Sequence, residues 1–238
     1  MRIHAHILAW NEEVQLPVTL RHYAKFCEKI YIYDNESTDK TREIALNHPK
    51  TEVLEYSSDN RFNDWSNICV KNNAWKTSID IADWVIVVDC DELVWHPDIH
   101  AYLEKKKAEN VTVISPQWWN MVGTDLPGEE NEIPIGQPHP FGKPVLFDPN
   151  SVLEINYGVG AHSCNPKGYI QQIIDNEIKT LHYKHHSIEY VLARYATYRA
   201  RMSDLNRQAH WGHHYDEEDA THRENYIDLL SKCQELPQ

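Results

Sequence analysis

Glycine is scarce in this 238-residue chain, with 8 in all and none before Gly123. That scarcity argues against a glycine-rich phosphate loop after the first strand, the usual opening of a nucleotidyltransferase. No apolar run approaches the roughly 20 residues that a membrane span needs. The opening "MRIHAHILAW" places two histidines where a secretion signal is uniformly apolar, so no signal is expected. An excess of basic residues is also missing: the net charge is −13, which makes nucleic acid an unexpected partner. The five cysteines, Cys27, Cys69, Cys90, Cys164 and Cys233, are odd in number and lack CxxC spacing. They suit reduced thiols in a cytoplasmic protein better than a disulfide framework or a zinc knuckle. Sequons at Asn35 and Asn110 are then chance matches. The 15 histidines contain no HExxH, which argues against a zinc hydrolase.

What is present is ordinary for a globular protein, with 41% apolar and 25% charged residues. Residues 1–90 alternate strand-like and helix-like segments. "IHAHILA" (3–9), "KIYIYD" (29–34), "EVLEY" (52–56) and residues 84–89 read as strands. Residues 16–26, 37–48 and 63–80 read as helices, the second with Ser37, Thr38 and Asp39 as candidate caps. This alternation implies a largely parallel sheet covered on both faces, with ligands at the carboxyl ends of its strands. In the second half, 111–119 reads as a strand and 123–144 as a long loop. "KPVLFD", "SVLEINY", "YIQQIID" and "IKTLHYKHH" read as shorter strands, and 187–208 and 217–233 as helices. No repeat or linker divides the chain, so one domain over 1–238 is expected.

The stretch "DWVIVVDCDELVWH" (83–96) concentrates the chemistry. Five apolar residues run straight into Asp89, Asp91 and Glu92, and such a knot of like charge requires something positive beside it. If the strand extends through residue 91, Asp89 and Asp91 project together and Glu92 projects oppositely. Two carboxylates on one face at the carboxyl edge of a parallel sheet make a seat for Mg²⁺ or Mn²⁺. The plainer alternative is that Asp91 caps a helix over 97–107 and Asp89 stays solvated.

"ILAWNEEVQLPVTLRHY", "IYIYDNESTDKTREIA" and "ADWVIVVDCDEL", in that order across residues 3–92, resemble the nucleotide-binding half of family 2-type glycosyltransferases. "GAHSCNP" and "LHYKHHS" are similar to elements of a subgroup of them. The resemblance implies an α/β, GT-A-like fold: a mostly parallel, Rossmann-like central sheet flanked by helices, with a smaller mixed sheet and C-terminal helices. Residues 1–95 would form a nucleotide-binding half and 96–238 an acceptor-binding half. The implied activity moves a sugar, with inversion, from a nucleoside diphosphate sugar (UDP by default) to a glycan or lipid-linked acceptor hydroxyl, as in polysaccharide biosynthesis. A catalytically inactive binding module and a nucleotidyltransferase are the alternatives.

The same resemblance assigns residues. Trp10, Asn11 and Glu12 end the first strand, where base and ribose lie. Asp34 and Asn35 would pair with the base, and Arg61 and Lys71 with pyrophosphate or base. Asp89 would touch ribose and metal, and Asp91 the metal, with His182 as third ligand and His162 as competitor; Mn²⁺ or Mg²⁺ is the implied cofactor. A carboxylate general base is expected in the 123–144 loop, with Asp125 named ahead of Glu129, Glu130 and Glu132. The cluster "HWGHHYDEED" (210–219) is expected to be a cover or a solvated face. The tyrosine-rich helix 187–205 packs in the core or meets a membrane surface. Of Trp118 and Trp119, an extended segment lets one face a pocket.

Overall fold

A computed structural model describes residues 1–123 and 135–236. The first half runs β1 (Ile3–Ala9), α1 (Leu16–Tyr23), β2 (Lys29–Asp34), α2 (Thr41–Leu46), β3 (Thr51–Glu55), α3 (Asp64–Asn73), β4 (Trp84–Asp89) and β5 (Glu92–Trp95). Then follow α4 (Ile99–Ala108), β6 (Val113–Val122), β7 (Ile135–His139), β8 (Leu146–Phe147), β9 (Val152–Glu154), β10 (Lys167–Gly168) and β11 (Gln172–His185). The chain closes with α5 (Ile188–Arg201), α6 (Asp204–Gln208), α7 (Asp219–Ser231) and β12 (Gln234–Glu235).

The alternation of strands and helices produces the expected architecture. β3, β2, β1 and β4 lie side by side and pair in parallel, flanked by helices. β4 then pairs antiparallel with β8, which pairs with β6, and β7 and β12 complete that edge. β11 runs parallel to β6 and antiparallel to β5, while β9 and β10 form a separate two-stranded sheet. The switch in strand order beside β1 and β4 opens a crevice at their carboxyl ends, where open α/β sheets bind ligands.

β1 and β4 are buried on both faces, which is why they read as continuous apolar runs. Each large side chain buried there contributes about 1.5–3 kcal/mol. The two histidines of β1 are tolerated because one hydroxyl serves both: His4 Nδ1 and His6 Nε2 each lie 2.8 Å from Ser78 Oγ.

Several boundaries differ from the sequence reading. The helix expected over 63–80 is α3 followed by a 3-10 turn, Ala74–Ser78. β7 forms inside the expected 123–144 loop, because it pairs with β6 through Met121–Trp118. The two strands expected over 169–175 and 178–186 merge into β11, which absorbs its irregularities as register shifts at Asp175/Lys179 and His182/His185. The helix expected over 187–208 breaks at Met202 and Ser203, and Ser203 caps α6 by accepting from Asn206 N–H. Among the described residues no helix is long and apolar enough to cross a membrane.

Candidate active site

At the carboxyl ends of β1 and β4 lies a cleft of about 250 Å³. Five carboxylates (Glu12, Asp64, Asp89, Asp91, Glu92) and five cations (Lys71, Lys143, Lys184, Arg194, Arg201) line it. In a chain of net charge −13, five cations matching five acids make this cleft far less negative than the chain as a whole.

The knot of acids at the end of β4 is built differently from a continuous strand. β4 ends at Asp89, Cys90 and Asp91 turn, and Glu92 starts β5. Glu92 therefore does not project oppositely, as the extended reading expected. Its carboxylate folds back to accept from the Asp89 backbone N–H at 3.1 Å and from Lys143 Nζ at 2.5 Å. Nor does Asp91 cap the following helix: Asp98 caps α4, accepting from Ala101 N–H at 3.0 Å. The positive groups answering the acids are side chains. Lys71 Nζ lies 2.7 Å and Lys143 Nζ 3.7 Å from Asp89. Burial raises the Asp89 carboxyl, but the ammonium groups of Lys71 and Lys143 outweigh it and hold the group down at about 2. Burial likewise pushes Glu92 up, against the pull of Lys143.

Asp91 has a looser setting. Its Oδ2 lies 3.7 Å from His182 Nε2 and 3.6 Å from Arg194 Nη2, both too wide for a hydrogen bond. Burial, and then the nearby Lys143 and Lys184, lower His182 well below the usual histidine range and keep the imidazole neutral. Asn120 Oδ1 accepts from Trp118 Nε1 at 2.9 Å and faces His182 Nδ1 at 3.4 Å. Because an amide oxygen only accepts, Nδ1 carries the proton and Nε2, on the Asp91 side, keeps its lone pair. Asp91, Glu92 and His182 bring ligand atoms within 4.8 Å of one another. Glu92 is committed to Lys143, so a carboxylate and a neutral imidazole remain, a donor pair that fits a divalent cation.

α5 supplies the opposite wall. Arg194 makes a bidentate contact with Glu12, Nη2–Oε1 at 2.5 Å and Nη1–Oε2 at 3.0 Å, which ties the first loop to the helix. About two turns further on, Arg201 stacks 3.2 Å from the centre of the Trp10 ring. Among the described residues, Arg201 Nη2 and Trp10 Nε1 are buried donors without a partner.

The other expected site residues separate into two groups. Trp10, Glu12, Asn35, Lys71, Asp89, Asp91, His182 and His162 all line the cleft. His162 sits on it without joining the Asp91–His182 pair, and burial beside Lys143 and Lys71 pushes it down to about 4. Asn11, Asp34 and Arg61 do not line the cleft. Asn11 is spent on structure: its Oδ1 accepts from Thr38 N–H at 2.7 Å, and its own N–H donates to Ser37 Oγ at 2.9 Å. Asp39 accepts from Glu13 N–H at 3.0 Å and from Thr41 N–H at 2.9 Å. "STD" thus knits two loops together, and the N-cap position falls to Lys40, without a side-chain cap. Asp34 is buried and faces Ser37 N–H, and Arg61 is exposed to solvent. Asp125, Glu129, Glu130 and Glu132 lie outside the described residues.

Sequence reading missed Lys143, Lys184, Arg194 and Arg201. Tyr190, Arg194, Tyr198 and Arg201 recur at spacings of four, four and three, a polar helix face that was readable. Trp118 lines the cleft while Trp119 is buried in the core, as alternation along a strand requires. Val191 and Tyr195 of α5 are buried, which favours the core reading of that helix. The 210–219 cluster acts as a cover, with His214 and Tyr215 on the cleft.

No family model matches the chain. Uncharacterized proteins of Mycobacterium tuberculosis and Mycobacterium bovis are each 33% identical to it over 123 residues. That stretch is 49% of this chain and 30% of either relative, so the chain matches about a third of their length. Among solved structures, Staphylococcus aureus TarS (residues 1–349) aligns with a TM-score of 0.49 at 13% identity, covering 98% of this chain and 71% of that one. Mycobacterium tuberculosis glucosyl-3-phosphoglycerate synthase, crystallised with Mn²⁺, UDP and phosphoglyceric acid, aligns at 0.34 with 17% identity, over 49% of this chain and 43% of that one. Scores below 0.5 at such identities assign no activity to this chain.

Proposed function

We propose that the protein is a glycosyltransferase that takes a nucleoside diphosphate sugar, UDP-linked by default, and passes the sugar to an acceptor hydroxyl. One observation carries the reading. Asp89, Asp91 and His182 line one cleft with Lys71, Lys143, Arg194 and Arg201 at the carboxyl ends of β1 and β4, Lys71 and Lys143 lying directly against Asp89. The order of the first-half motifs, "WNEE", "DNESTD" and "DCDEL", supports it as well.

Each side chain has a part in that reaction. Trp10 offers a ring to the base, and Arg201, already against that ring, reaches a phosphate with its unpartnered Nη2. Asp89, kept ionised by its lysines, accepts from ribose hydroxyls. Asp91 and His182 would hold Mn²⁺ or Mg²⁺, which when bound neutralises charge on the departing diphosphate. Lys71 and Lys143 stand ready to share their charge between Asp89 and the diphosphate. The anomeric centre becomes oxocarbenium-like, and a carboxylate takes the proton of the attacking hydroxyl, with inversion. The acceptor is a glycan or a lipid-linked saccharide.

A donor screen tests the reading. Hydrolysis or transfer is followed as UDP release from a panel of nucleotide sugars, with Mn²⁺, with Mg²⁺ and with EDTA. Release from at least one donor that EDTA abolishes is the expected result. No release from any donor, together with no binding of UDP, would overturn the reading.

A further inference from the structure

Asp64 opens α3 and lines the cleft, and none of the motifs above accounts for it. A carboxylate at the first turn of a helix is ordinary in itself. This one is held from a distant part of the chain. Asn206 Nδ2 donates to Asp64 Oδ2 at 2.9 Å, and Asn206 Oδ1 accepts from Asp64 N–H at 3.1 Å. Asn206 is wholly buried, and its own position is fixed by the Ser203 cap. The two segments are further stitched by Phe62 N–H to Arg201 O at 2.7 Å and Ser203 N–H to Phe62 O at 3.0 Å. Oδ1 of Asp64, by contrast, has no donor among the described residues.

The surroundings of Asp64 select the ligand's chemistry. Phe62, Tyr198 and Tyr215 line the cleft with it, their ring centres 4.9–5.6 Å apart. Burial, then the charge of Asp89, raise the Asp64 carboxyl, so a second anion beside it is disfavoured. Lys71 and Lys143, the lysines whose charge reaches Asp64, are paired with Asp89 and Glu92, while Lys184 and Arg194 lie 5.2 Å from the Tyr215 and Tyr198 rings. A fixed carboxylate oxygen beside aromatic rings is the chemistry that binds a neutral pyranose: hydroxyls donate to the carboxylate and C–H faces meet the rings.

We propose that Asp64, positioned by Asn206, recognises the hydroxyl groups of the donor's sugar, against a ring wall of Phe62, Tyr198 and Tyr215. This rests on the nucleotide-sugar reading and names the residue that distinguishes the sugar from the nucleotide. Saturation-transfer NMR with UDP-glucose and UDP-N-acetylglucosamine in Mg²⁺ separates the two parts of the ligand. In the wild type, uridine and sugar-ring protons of at least one donor are both saturated. In Asp64→Ala the sugar signals fall at least fivefold relative to uridine, whose signals also report that the variant is folded. Asn206→Ala shows a smaller loss in the same direction, because the carboxylate remains but is no longer held. Sugar signals unchanged relative to uridine in Asp64→Ala would overturn the assignment, as would uridine signals that fall in parallel. Absence of uridine saturation in the wild type would overturn the nucleotide reading itself, and the assignment with it.

Discussion

Replacing Arg194 by methionine is expected to leave Glu12 buried without its counter-charge. Glu12 is 6% exposed and accepts both of its side-chain hydrogen bonds from Arg194. Removing one partner of a buried ion pair costs about 3–5 kcal/mol. Arg194 retains 15% side-chain exposure, so solvent offsets part of the penalty and a value near 3 kcal/mol is expected. The double variant Glu12→Gln/Arg194→Met removes the stranded charge and should recover about half of the loss. Urea unfolding of wild type, both single variants and the double variant gives the coupling energy. The loss should also depend on pH. Burial raises the Glu12 carboxyl while Arg194 opposes it, and without Arg194 the folded-state value rises further. A raised carboxyl destabilises the fold as pH rises from its unfolded value, 4.5, through the folded one. The deficit of Arg194→Met should therefore shrink towards pH 4.5. Additive single effects below about 1 kcal/mol, unchanged between neutral pH and pH 4.5, would refute the reasoning.

Other positions give independent checks. His6 is wholly buried, and burial, with His4 adding to it, pushes the imidazole from 6.5 down to about 3. The unfolded chain takes the proton first, so stability falls as pH drops from 6.5 towards 3. A gap of about three and a half pH units at about 1.4 kcal/mol each puts that loss near 5 kcal/mol. His6→Gln should flatten the acid limb of a stability–pH curve, and an unchanged slope would count against it. A Cβ on Gly142 would lie 1.7 Å from the Pro116 carbonyl oxygen, a clash with backbone that a side-chain shift does not relieve. Gly142→Ala is thus expected to cost about 3 kcal/mol in thermal or urea unfolding. Asp98→Ala, which removes the cap of α4, should cost about 1 kcal/mol in the same assay.

The parts of the fold legible in the sequence are those where one element suffices to make a pattern. β1, β2 and β4 are buried on both faces, and their apolar runs announce them. Asp89 and Asp91 were readable because a strand's end is a local property. The turn at Cys90–Asp91 was not, because it depends on Glu92 finding Lys143, fifty-one residues on. Arg194 and Arg201 were hidden for the same reason. A helix shows which residues share a face, but only the folded chain says that Glu12 and Trp10 lie opposite it. Asn11 and Asp39 belong to a motif whose residues do two jobs, and here loop-to-loop hydrogen bonds claim them.

Calorimetric titration of UDP, with and without Mn²⁺, into the wild type, Asp91→Ala and His182→Ala bears most directly on the central claim. Binding that needs the metal in the wild type, and weakens at least tenfold in both variants, is expected from a cation held by Asp91 and His182 beside a diphosphate. Equal binding by all three proteins, or binding indifferent to Mn²⁺, would contradict it.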